Sequence, residues 1–135
     1  MTERVYEFDK SEEEKLKKML AYDPFTDPSA IPPSKDGASA ENGIAKLAEK
    51  DKYYDVIFAR QEYSLREGAS VGLATDKVFL YLKANDEFFP RAEEKLKANF
   101  QSFKRASAEA ESKLVAFIKE EQERSNEGFG MLFGG

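Results

Sequence analysis

The sequence predicts a small α+β domain, an antiparallel or mixed sheet with helices packed on one face as a two-layer sandwich. Three observations lead to it. Lys77-Val78-Phe79-Leu80-Tyr81-Leu82-Lys83 is apolar on both faces, the pattern of a strand inside a sheet. Helical i, i+3, i+4 spacing occurs on either side of it, at Leu16, Met19 and Leu20 and again around Leu114, Val115, Phe117 and Ile118. The chain of 135 residues is 41% apolar, with eleven Phe and six Tyr, enough for one core and too apolar for a disordered chain.

From the first residue onward, Val5-Tyr6-Glu7-Phe8 alternates weakly and is expected as a short edge strand. Ser11 is expected to N-cap a first helix over 11–21, with Glu12, Glu13 and Glu14 at the positive end of its dipole and Pro24 ending it. All of the five prolines but Pro90 then fall within a long loop over 22–42, whose Asp23-Pro24, Asp27-Pro28 and Asp36-Gly37 steps are turn chemistry. Phe25 and Ile31 are expected to pin that loop to the core. A short helix from Ser39 to Lys50 follows, with Ile44 and Leu47 inward.

Residues 54–65 are expected as a strand because Val56, Ile57, Phe58 and Tyr63 favour one, although Ala59-Arg60-Gln61-Glu62 suits a helix. Gly68 and Gly72 allow the turns leading to its partner at 77–83. Asn85-Asp86 is expected to cap a helix with Pro90 in its first turn and Phe89, Ala92, Leu96 and Phe100 on its buried face. A short strand at 101–105 separates it from a last helix over 108–126, capped by Ser107 and stopped by Gly128. Residues 1–127 thus read as one domain and 128–135 as an apolar, Gly-rich tail, with no internal repeat.

The composition excludes several chemistries. Without Cys there is no disulfide, thiolate nucleophile or thiolate metal site. Without His the residue most used in acid–base work and metal ligation is missing, and so is any triad built on it. Any metal would need oxygen donors. No cofactor is expected. The net charge of −5 argues against a general affinity for nucleic acid or anionic membrane. Residues 1–9 carry no apolar signal core, and no stretch approaches the length of a membrane span, so a cytoplasmic address and no membrane contact are expected.

Four segments compete as sites. The run Gly128-Phe129-Gly130-Met131-Leu132-Phe133-Gly134-Gly135 places large apolar residues after a highly charged helix. It either folds back onto the core or inserts into a partner or second subunit. Its glycine spacing misses the dinucleotide fingerprint by one position. Gly134-Gly135 matches the ending of ubiquitin-like modifiers and sulfur carriers, but those proteins reach it from a strand. Arg60, Glu62, Tyr63, Arg66 and Glu67 form a polar cluster, some of which could line a cleft, although polar residues on strands and loops are more often ordinary surface. Lys95, Lys97, Lys104 and Arg105, interleaved with Asn99, Phe100 and Phe103, match the basic and aromatic mixture that holds single-stranded nucleic acid; the plainer reading makes both Phe residues core. Asp23, Asp27, Asp36 and Glu41 are oxygen donors without the order of an EF-hand, so no metal site is assigned.

Taken together, Glu41-Asn42-Gly43, Phe58-Ala59-Arg60-Gln61, Leu65-Arg66-Glu67-Gly68 and the Gly128-Phe129-Gly130…Phe133-Gly134-Gly135 ending make the chain similar to a family of short archaeal cytosolic proteins of unassigned function. The resemblance implies a cytosolic location and carries no activity, ligand or catalytic residue. The residues themselves lead to a non-catalytic protein-interaction or scaffolding module acting on a protein partner or as a homo-oligomer. The alternative is a small enzyme or ligand-binding domain using carboxylate and Arg groups near 58–68. Single-stranded nucleic-acid binding comes third.

Overall fold

Apolar residues at both odd and even positions of two neighbouring strands require cover on both sides of a sheet, and that requirement organises this molecule. The computed structural model describes residues 1–26, 49 and 51–133, with side chains as far as Ser125. Its elements are β1 (Thr2–Asp9), α1 (Glu13–Ala21), β2 (Glu62–Glu67), β3 (Lys77–Ala84), α2 (Phe88–Asn99), β4 (Lys104–Arg105) and α3 (Ala108–Phe133). The four strands form one antiparallel sheet in the order β2-β3-β1-β4. β1 and β3 pair along their whole length, from Thr2↔Ala84 to Asp9↔Lys77.

Tyr6 and Phe8 of β1 share one face with Val78, Leu80, Leu82 and Ala84 of β3. Leu16 and Leu20 of α1 and Phe89, Ala92 and Leu96 of α2 close over them, with Phe58 and Phe100 filling between. On the other face Val5, Phe79 and Tyr81 meet Leu114 and Ile118 of α3, with Val71 and Ala106 at the margins. Each fully buried Phe or Leu contributes about 1.5–3 kcal/mol. The small α+β sheet expected from the sequence is present, and α3 adds a third layer to it. Helix now covers both faces of the two central strands.

Several boundaries differ from the sequence reading. β1 is eight residues long and interior, because β4 pairs with its free side through Tyr6↔Arg105 and Glu7↔Lys104. α1 starts at Glu13 behind a 3-10 turn over Lys10–Glu12, and no side chain caps it, so Ser11 is not the cap. The expected strand at 54–65 is displaced. Phe58–Arg60 is a 3-10 turn, and β2 begins only at Glu62, where alternation sets in. Gly68 and Gly72 do make the connection to β3. Gly72 adopts φ 72°, and Gly68 packs so closely on the next turn that an added Cβ would lie 1.8 Å from the Ala74 carbonyl oxygen.

α2 begins at Phe88 without a side-chain cap; Asn85 and Asp86 instead accept the Phe88 and Phe89 N–H groups through their carbonyls. The strand expected at 101–105 is reduced to Lys104 and Arg105. Ser107 does cap α3, its hydroxyl accepting the Ala110 N–H at 3.2 Å. α3, however, does not stop at Gly128; its backbone stays helical to Phe133. A glycine ends a helix by taking a left-handed conformation, and among the described residues only Gly72 has positive φ. Most of the 22–42 loop, with Asp27, Ile31, Asp36 and Glu41, and the 39–50 helix apart from helical Glu49, lie outside the described residues. Phe25 does not enter the core. It is 40% exposed, with the Arg60 guanidinium 5.1 Å from its ring.

Candidate functional site

The face of the sheet under α3 carries a row of polar contacts. α3 crosses the strands in succession. The Glu111 carboxylate accepts the Val5 N–H of β1 at 3.0 Å. Ile118 and Tyr81 of β3 line one small cavity of ≈ 220 Å³, and Ser125 and Ser64 of β2 line a second of ≈ 230 Å³. β2 is one of the two outer strands, so α3 reaches that margin of the sheet near Ser125. Between these points Arg66 pairs with Glu121 at 3.0 Å, and Gln122 donates to Glu62 at 3.3 Å. Lys83 approaches Glu62 at 4.0 Å. The Tyr81 hydroxyl donates to Glu3 at 2.5 Å, and burial, reinforced by that bond and by the Glu3 and Glu62 charges, pushes its phenol well above the ordinary value. These groups satisfy one another and act as struts between helix and strand.

That arrangement divides the polar cluster read from the sequence. Glu62 and Arg66 face α3, whereas Tyr63 and Leu65 alternate onto the opposite face and pack on the larger core. Glu67 sits near Lys10 at 3.9 Å. Arg60 lies on the 3-10 turn, where its Nε donates to Asp23 at 2.9 Å. This hydrogen bond from Arg60, with the Phe25 N–H and the guanidinium charge, holds the Asp23 carboxyl below the usual range despite some desolvation. The five residues therefore lie on two faces of β2 and on the turn before it. Among the described residues no group of three or more Asp or Glu is placed to hold a metal ion.

The basic and aromatic patch also separates. Phe100 is 2% exposed and stands edge-on to Phe8 at 5.3 Å between centroids, and Phe103 packs on Tyr6 at 5.4 Å. Neither presents a free ring for base stacking. Lys104 and Arg105 are exposed on β4, with Arg105 held 3.3 Å from Glu111. Lys97 is exposed on α2, while Lys95 turns inward and donates to the Val56 carbonyl at 3.0 Å.

Lys95 belongs to a grouping the sequence does not reveal. A cavity of ≈ 430 Å³ opens between α1, α2 and the segment before the 3-10 turn at Phe58, lined by Lys18, Met19, Tyr22, Asp51, Lys95 and Asn99. Its residues come from three stretches far apart in the chain, so no local motif announces it. The one sequence signal is the mixed basic and aromatic composition of α2, and that composition points to a different chemistry.

Of the tail, Gly128 to Phe133 form the last turns of α3, while Gly134 and Gly135 lie outside the described residues. At 1.5 Å per residue, the helix continues about 12 Å beyond Ser125, where it meets β2. No described helix is long and apolar enough to cross a membrane. Compared with known proteins, the chain matches no family model, no curated protein and no solved structure.

Proposed function

We propose that this protein is a non-catalytic interaction module whose contact element is the end of α3, and that its partner is a second copy of the chain. The carrying observation is the length of α3. The helix follows its own sheet from β1 to the outer strand β2 and then runs on to Phe133. The overrun is the stretch where the sequence places Phe129, Met131, Leu132 and Phe133. A helical segment rich in large apolar residues that outruns its own sheet needs cover from elsewhere.

A second copy presents the same segment, and two such ends bury one another in an isologous contact. The scattered, mutually paired polar groups of β2 and the turn before it support a non-catalytic reading, and the buried Phe100 and half-buried Phe103, both packed on aromatic rings of β1, speak against a nucleic-acid surface. The absence of cysteine supports a cytoplasmic setting for that assembly.

Light scattering after size exclusion tests this on the full chain and on a version ending at Glu127. A dimer for the full chain and a folded monomer for the shortened one is the expected pair of results. Two monomers, with the shortened chain melting far lower, would assign the segment to the core and remove the proposal.

A further inference from the structure

Lys95 is a half-buried cation with an incomplete set of partners. Its ammonium donates to the Val56 carbonyl at 3.0 Å and lies 5.8 Å from the centre of the Phe58 ring. An ammonium has three donors. Among the described residues no other acceptor meets Lys95, and it belongs to no ion pair. Burial lowers its proton affinity, only partly opposed by Asp51 and Asp55. Asp55 is itself engaged by Arg91 at 2.5 Å, and one oxygen of Asp51 accepts the Tyr53 N–H at 2.9 Å. Lys18, on the facing helix α1, is likewise in no ion pair among the described residues.

Lys18 and Lys95 both line the ≈ 430 Å³ cavity between α1 and α2. That volume lies in the range of small-molecule sites, which join apolar walls to a few convergent polar groups. Met19 and Tyr22 supply the apolar wall, Asn99 an amide, and Lys18 with Lys95 outnumber the single carboxylate of Asp51. The Asn99 side chain donates to the Lys95 carbonyl at 2.8 Å, which fixes its orientation on the helix.

We infer that this cavity binds a small oxyanion-bearing ligand, a carboxylate or phosphate seated between Lys18 and Lys95 with its apolar part against Met19 and Tyr22. The oxyanion supplies acceptors that Lys95 lacks among the described residues, and the hydrogen bonds it receives are charge-assisted from both lysines. The site is independent of the end of α3 and lies on the other face of the sheet.

The test is a titration of the full, isotopically labelled chain with sodium phosphate and, separately, sodium octanoate, each against sodium chloride at matched ionic strength. Amide resonances of Met19, Tyr22, Asp51 and Asn99 are followed. Saturable shifts confined to these residues and their neighbours are expected. Octanoate outcompeting phosphate assigns a carboxylate with an apolar body, and the reverse assigns a bare phosphate group; either supports the site. Lys95→Met, which keeps the aliphatic stem over Phe58, should weaken binding about tenfold or more, and Lys97→Met on the same helix should leave it unchanged. Lys18→Met is the second variant should Lys95→Met fold poorly, and it should weaken binding as well. Shifts no larger than those from sodium chloride, or an affinity in the Lys95 and Lys18 variants unchanged from that of the unaltered chain, would overturn the inference.

Discussion

Replacing Tyr6 with Phe is predicted to stabilise the protein. The Tyr6 side chain is fully buried, its ring packs against Phe103 at 5.4 Å, and its hydroxyl has no hydrogen-bond partner among the described residues. Arg4 is near enough to favour the phenolate, but its guanidinium is committed to Glu93 at 2.9 Å and lies over the Phe89 ring. An unpaired buried hydroxyl costs about 1–3 kcal/mol. Removing one oxygen forfeits only a few tenths in packing, roughly. The net gain in Tyr6→Phe is therefore about 1 kcal/mol, seen in urea unfolding as a higher midpoint at unchanged slope. On heating, the melting temperature should rise by roughly 4 °C.

The same residue gives an alkaline signature. Burial first, and then the Glu93 charge, hold the Tyr6 phenol well above its ordinary 10.0, and Tyr81 is raised mainly by burial. An unfolded chain ionises both near pH 10, roughly. Above that pH the folded state keeps protons the unfolded state releases. The stability tied to each tyrosine is thus complete below about pH 10 and falls as pH rises, by about 1.4 kcal/mol per unit for each. Tyr6→Phe removes one of the two contributions, so its stability should decline less steeply by about that amount per pH unit. A variant destabilised by about 1 kcal/mol or more would show that the hydroxyl is hydrogen-bonded in solution, and an unchanged alkaline slope would show that burial does not hold the Tyr6 proton; either refutes the reasoning.

Gly68→Ala should cost about 3 kcal/mol or more, because the new methyl would meet backbone at Ala74 rather than a side chain that can yield. An unchanged urea midpoint would mean that the turn between β2 and β3 packs differently. Mixed-sequence RNA should show no salt-sensitive binding, since Phe100 and Phe103 are occupied in the core and Arg105 is paired. A steep dependence of affinity on salt would overturn that assignment.

The sequence carries the elements whose signals are local. β3 is legible because a short run that is apolar at odd and even positions alike suits a strand covered on both sides. The start of α3 is legible because Ser107 is followed by acidic residues and an apolar stripe. β2 is displaced by several residues because Val56, Ile57 and Phe58 are apolar for tertiary reasons. They plug the margin of the core from an irregular segment, and propensity cannot distinguish that from a strand. The interior position of β1 depends on a two-residue partner about a hundred positions away, which leaves no local trace. Helix on both faces is implicit in the two-sided apolar pattern of β3, yet the connection order over 77–126 points to one face.

The candidate sites divide the same way. Phe129, Met131, Leu132 and Phe133 stand out in composition, but only the helical backbone through Gly128 and Gly130 shows that they continue α3 instead of following it. Lys95 reads as one cation among several, because neither its inward turn to Val56 nor the cavity shared with Lys18 and Asp51 can be seen along a single helix.

Amide hydrogen exchange of Asn126 to Phe133, measured at several protein concentrations on the full chain, tests most directly whether the end of α3 is an assembly element. Protection that rises with concentration, while the amides of β1 and β3 stay equally protected throughout, is the predicted result. Protection independent of concentration, or none at any concentration, would contradict it.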